Sequence, residues 1–132
     1  MHRSRLCAFG IDCGTEDLEA AAAFWGRALG KKVVTPSDDP GPYRELDTAK
    51  DEITLFVQKV SHPSRVHLDI ETDDMEAEVK RLEALGAKRV EFVKRWWVME
   101  APTGHRFCVV NPQQGLLEVK GNEWPDTPAP AE

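Results

Sequence analysis

Residues 9–20 read FGIDCGTEDLEA, and residues 66–77 read VHLDIETDDMEA. Slid onto one another by 57 positions, Ile11 meets Leu68, Asp12 meets Asp69, Asp17 meets Asp74, Leu18 meets Met75 and Glu19 meets Glu76. The echo continues downstream, where Arg27-Ala28-Leu29-Gly30-Lys31-Lys32-Val33-Val34 answers Glu83-Ala84-Leu85-Gly86-Ala87-Lys88-Arg89-Val90 with one residue dropped. Self-similarity at a fixed period speaks to the whole fold and outranks any single motif. Two copies are too few for a solenoid. They predict one domain of two like modules about a pseudo-twofold axis, with function in the space between them.

Composition narrows the class. A chain of 132 residues with 41% hydrophobic residues has enough material for one real core. Twenty-three acidic against 17 basic residues leave a formal charge of -6, which argues against nucleic acid or an anionic membrane surface as partner. No apolar run approaches the ~20 residues of a membrane span, and the opening MHRSRLCAFGID is too polar to read as a secretory leader. Three cysteines without metal-type spacing suit a reducing compartment, so the expected location is the cytoplasm.

Periodicity gives each copy the same order of elements. Cys7 to Cys13 reads as a strand, and Thr15 can cap a helix running to Leu29, where Gly30 supplies a left-handed end. Leu18, Ala21, Ala22, Trp25 and Leu29 form its apolar stripe, so Trp25 is a core residue. Short strands are expected at Lys32–Thr35, Tyr43–Leu46 and Glu52–Gln58. The second copy opens with a strand at Arg65–Ile70 and a helix capped by Thr72 or Asp73, facing Met75, Val79, Leu82 and Leu85 inward. Strands follow near Arg89–Val93, Arg95–Met99 and Arg106–Val110, and Pro112 ends the last. The fold class is therefore α+β, with one βαβββ module over residues 1–60, a second over 61–113, and a Pro- and acid-rich tail over 114–132 expected to be loosely held.

AAAFWGRALGKKVV, the HLDI strand before an acidic-headed helix ending ALGA, and the closing PTGHRFCVV together resemble the vicinal oxygen chelate superfamily. That is the glyoxalase, bleomycin-resistance and extradiol-dioxygenase group, and its glyoxalase-like subfamily is the branch most resembled. The resemblance covers about residues 7–111 and implies two curled half-sheets facing each other as a cup, with the helices on the outer face. It also implies a small ligand in the cup and pairing across a homodimer, which exposed sheet edges favour independently.

Metal-dependent members of that family carry a ligand on the first and last strand of each module. Carried onto this chain, those positions are Gly10 and His67 on the first strands, and Cys108 on the last strand of the second copy. Aligning DEITLFV on GHRFCVV puts Leu55 at the matching place in the first copy. One good ligand, one thiol and two blanks do not make the three or more protein ligands of a catalytic metal site. Asp12 and Asp69 share strand parity with Gly10 and His67, but two residues along a strand is ~6.5–7 Å away, too far for simple replacement. Gln58 is out of phase with Leu55, so only a bulge would bring it in. No metal and no other cofactor is expected.

The expected ligand-binding set is Asp12, Leu55, His67, Asp69, Cys108, and whichever of Trp96 and Trp97 faces the cup; catalytic residues are not assignable. Each has a plainer reading: His67 bonded to a neighbour, Cys108 as a small buried apolar residue, Asp12 and Asp69 as structural partners of Arg or Lys. His105 in the turn TGH is explained by the turn, and the loop around Asp38, Asp39 and Pro40 could act as a lid with Tyr43 on its inner side. Two function classes follow. One is a module binding a small organic ligand with a cationic or hydrogen-bond-donating group. The alternative is a metal-dependent lyase, isomerase or dioxygenase using His67 with non-standard partners, or an acid/base cluster of His67, Asp69 and Asp12 without metal. Under the first, His67→Ala should weaken binding and leave the fold nearly unchanged.

Overall fold

Both helices begin on the same three-residue device, which the repeat carries intact. In Thr15-Glu16-Asp17 the Thr15 hydroxyl accepts the Asp17 amide at 3.1 Å, and the Asp17 carboxylate caps the helix by accepting the Ala20 amide at 3.0 Å. In Thr72-Asp73-Asp74 the Thr72 hydroxyl accepts the Asp74 amide, and Asp74 accepts the Ala77 amide, both at 3.1 Å. The caps are thus Asp17 and Asp74, not the threonines or Asp73, because a threonine two residues earlier turns the chain while the aspartate meets the free N–H groups. The ends match as well: Lys31 N–H reaches Gly26 O and Ala87 N–H reaches Leu82 O, with Gly30 and Gly86 at φ 68° and 106°.

The computed structural model describes residues 1–34, 41–113 and 115–125. Asp38, Asp39 and Pro40, and with them the expected lid, lie outside the described residues. Element order is β1 (His2–Cys13), α1 (Leu18–Leu29), β2 (Val33–Val34), β3 (Tyr43–Leu46), β4 (Thr54–Lys59), then β5 (Arg65–Thr72), α2 (Met75–Ala84), β6 (Lys88–Val93), β7 (Trp96–Glu100) and β8 (Arg106–Val110). Each module is βαβββ, as the repeat predicts. A short α3 (Leu117–Lys120) and β9 (Asn122–Trp124) follow.

The chain divides into two compact units, one of Ala8–His67 and one of Met1–Cys7 with the chain from Leu68 onward. In the first unit β1 pairs with β4 in parallel, and β3 pairs antiparallel with β4 and β2. Ile11, Cys13, Leu46, Leu55 and Val57 project from one face and pack with Leu18, Ala22 and Trp25 of α1. In the other unit β5 pairs with β8 in parallel, and β7 lies antiparallel between β8 and β6. Ile70, Trp97, Met99, Phe107 and Val109 pack there with Met75, Val79 and Leu82 of α2. Alternation along each strand then sends the intervening residues to the face turned away from the helix.

Part of the expected loose tail is built in. β9 pairs antiparallel with the start of β1, His2 opposite Trp124. The Trp124 indole N–H donates to Ser4 Oγ at 2.9 Å, and the Arg81 guanidinium stacks on its ring at 3.8 Å from the centroid. Arg81 is held in turn by Glu78, which also bonds His2 Nε2 at 2.8 Å. This also explains why β1 runs back to His2 beyond the expected Cys7: its first residues gain a strand partner. Among the described residues no helix is long and apolar enough to cross a membrane.

Candidate functional site

In the Ala8–His67 unit, the face turned away from α1 is set by two rows of strand partners. Tyr43 stands beside Gln58 and Gln58 beside Asp12; Glu45 stands beside Phe56 and Phe56 beside Gly10. The imidazole of His67 lies in this group. Its Nδ1 is 2.9 Å from Asp12 Oδ2, and both residues are buried. A carboxylate only accepts, so Nδ1 carries the hydrogen of this bond. Arg65 Nε approaches the same Asp12 oxygen at 3.9 Å. The Phe56 ring meets His67 edge to face at 5.5 Å between centroids and Tyr43 at 6.0 Å.

Glycine at position 10 is what lets the imidazole lie there. A Cβ on Gly10 would fall 2.2 Å from His67 Cε1, 2.6 Å from Nε2 and 2.7 Å from Phe56 Cζ, distances real Cβ atoms do not show. Asp12 Oδ1 is buried and has no hydrogen-bond partner among the described residues. A buried carboxylate oxygen without a donor is costly. The pairing also revises the expectation for His67→Ala: the ring does not face open water, and its removal would strip Asp12 of its buried partner.

In the other unit, Asp69 stands beside Cys108 and Cys108 beside Val98 on the face turned away from α2. Glu71, two residues on, is fully buried, bonds Arg5 Nη1 at 3.0 Å and accepts the Gln113 amide at 2.7 Å. Cys7 Sγ lies 3.5 Å from the Asp69 carbonyl, and burial, helped by the Glu71 and Asp69 charges, pushes its thiol up to about 12. That removes Cys7 as a nucleophile at neutral pH. The tryptophan question resolves by packing: Trp97 sits on the α2 cluster, so its neighbour Trp96 takes the opposite face. Trp97 is accordingly corrected from ligand wall to core. His105 bonds Thr103 Oγ1 at 2.7 Å inside its turn, as expected.

Leu55 is the other correction. Parallel pairing puts Asp12 beside Gln58 in one module and Asp69 beside Cys108 in the other. Gln58, not Leu55, is therefore the internal counterpart of Cys108, and Leu55 packs on the α1 side. The alignment of DEITLFV on GHRFCVV is out of step by an odd number of residues, which moves the residue to the opposite face. Phe56 and the steric role of Gly10 escaped the sequence reading. Parity counted from Asp12 through its strand partner would have found the former.

The profile of the glyoxalase-like domain matches residues 8–110. The chain belongs to the glyoxalase-like domain family. Solved structures with the same fold include a glyoxalase/bleomycin resistance/dioxygenase superfamily member from Vibrio splendidus, 18% identical, covering 83% of this chain and 99% of that one at a TM-score of 0.51. A methylmalonyl-CoA epimerase from Streptomyces coelicolor, in complex with 2-nitronate-propionyl-CoA, is 19% identical over 81% of this chain and 96% of that one, TM-score 0.54. An extradiol ring-cleaving dioxygenase from B. fuscum is 16% identical over 83% of this chain but only 32% of its own, TM-score 0.55. Among curated proteins no sequence match is found. At these identities the likeness establishes the fold alone.

The two-module metal set that the family implies does not fit this glyoxalase-like chain. Gly10 offers no donor atom, and the imidazole of His67 fills the space a side chain would need there. Gln58 replaces a blank with a weak amide donor. The unit from Leu68 onward carries two donors side by side on the helix-averted face, Asp69 on β5 and Cys108 on β8.

Proposed function

We propose that this glyoxalase-like protein binds a small organic ligand on the sheet faces turned away from its helices, as a cytoplasmic homodimer. Asp12 and His67 in one unit, and Asp69, Trp96 and Cys108 in the other, are the contacting residues. The His67–Asp12 pair carries the reading. A metal-dependent relative would need a ligand at Gly10; here that position is spent on seating an imidazole against a carboxylate, an arrangement suited to hydrogen bonding an organic group. A thermal-shift and calorimetric panel of small organic molecules, with methylmalonyl-CoA among them, tests it. Ligands that bind wild type should lose affinity in His67→Asn, and a protein that binds none of the panel would sink the reading.

The second reading is a metal-dependent lyase, isomerase or dioxygenase, and the carboxylate of Asp69 beside the thiol of Cys108 on neighbouring strands is the observation in its favour. Zinc accepts imidazole, carboxylate and thiolate donors. Elemental analysis of protein purified without chelator separates the two: stoichiometric metal, lost in Cys108→Ala, puts the enzyme first.

A further inference from the structure

We propose that the helix-averted face of the Ala8–His67 unit recognises an organic ammonium group, with Asp12 Oδ1 accepting its N–H. The inference rests on the ligand-binding reading above and names the chemistry of the ligand. Its starting point is a buried oxygen that none of the described residues satisfies. Asp12 spends Oδ2 on His67, with Arg65 at the margin, while Oδ1 is buried without a partner among the described residues. What belongs against it must donate a hydrogen bond.

The neighbours restrict the donor further. Strand pairing sets Tyr43 and Gln58 in line with Asp12, and Glu45 and Phe56 in line with Gly10, so two aromatic rings and a second carboxylate share the face. The rings of Tyr43 and Phe56 stand edge to face, 6.0 Å apart. Of the basic residues flanking this patch, Arg44 is engaged with Glu19 and Lys59 with Glu16, while Arg65 Nε stands 3.9 Å from Asp12 Oδ2. An anion would meet two carboxylates. A neutral apolar group would leave Oδ1 bare. An ammonium on an organic stem gives Oδ1 its hydrogen bond, draws on the ring faces and lays its stem against Phe56.

The test titrates full-length protein with three probes of one shape, benzylammonium, benzyl alcohol and benzoate, followed by calorimetry and backbone amide shifts. Benzylammonium should bind at least tenfold tighter than the other two and shift the amides of Gly10, Asp12 and Gln58. In Asp12→Asn an amide can still accept from His67 while presenting N–H in place of Oδ1, so the preference for benzylammonium should fall at least tenfold. Should that variant not fold, Phe56→Leu serves instead and should weaken benzylammonium at least threefold. Equal binding of the three probes, or a preference that survives both substitutions, overturns the ammonium assignment and leaves the ligand-binding reading standing. No amide shift at this face with any probe, together with a blank organic panel, brings down both.

Discussion

Gly10→Ala asks whether the imidazole of His67 is held where the structure puts it. The residue is in ordinary extended backbone, with no positive φ, so alanine meets no conformational barrier at that position. By itself the change would stabilise by about 0.4–1 kcal/mol through the unfolded chain. The added methyl, however, would sit 2.2 Å from His67 Cε1 and 2.7 Å from Phe56 Cζ. Relief requires the ring to swing off Asp12, which costs a hydrogen bond to a charged group, about 1.5–3 kcal/mol, and leaves a buried carboxylate less satisfied. Any clash that remains adds part of the roughly 1–3 kcal/mol typical of overpacking. The net expectation is a loss of about 2 kcal/mol, which for a domain of this size lowers the melting temperature by roughly 6–10 °C. Urea unfolding reads the energy, and nitrogen-15 shifts of the histidine ring read the loss of the Nδ1 hydrogen bond. In a His67→Ala background the same substitution should cost less than about 1 kcal/mol, since the nearer blocking ring is gone and only the Phe56 ring tip must give way. Wild-type stability with unchanged ring signals would refute the argument.

Other expectations follow from the same contacts. His67→Ala should itself cost about 2 kcal/mol in denaturant unfolding, because it leaves Asp12 buried without its partner; a neutral result would return His67 to an open, wet face. Leu55→Ala should destabilise by about 2–4 kcal/mol through the α1 cluster while leaving ligand affinity within twofold, and the reverse pattern would restore it to the ligand wall. At Glu78 burial pushes the carboxyl up, but hydrogen bonds from Arg81, His2 and Ser4 outweigh it and hold it below its usual 4.5. A depressed carboxylate contributes stability above that value and loses it as pH falls below, so thermal melts should drop from about pH 4.5 downward, and Glu78→Gln should flatten that slope. Trp124→Ala should cost about 2 kcal/mol by removing the Ser4 bond and the Arg81 stack, with protection of the His2–Ser4 amides lost in hydrogen exchange; unchanged protection would show that β9 does not hold the start of β1.

The amino-acid sequence by itself determined the duplicated βαβββ order, the helix boundaries and the glycine-terminated helix ends, because each depends on residues a few positions apart. Even the correction at the helix starts, from Thr15 to Asp17 and from Thr72 to Asp74, stayed inside one turn and repeated faithfully in both copies. The site is another matter. Asp12 and His67 are 55 residues apart, and their bond depends on β1 and β5 bringing them to one face with Gly10 making room. Strand periodicity is two, so a misjudged register between β4 and β8 exchanged Gln58 for Leu55 and reversed the face without disturbing any local pattern. Trp96 and Trp97 were equivalent by propensity until the α2 cluster took one of them. Trp124, in a segment that composition marks as loose, became ordered only because β1 had an edge to pair and Arg81 a ring to stack on. Local elements answer to neighbours in the chain, whereas pairing register and buried polar partners answer to distant strands, and these only the tertiary structure decided.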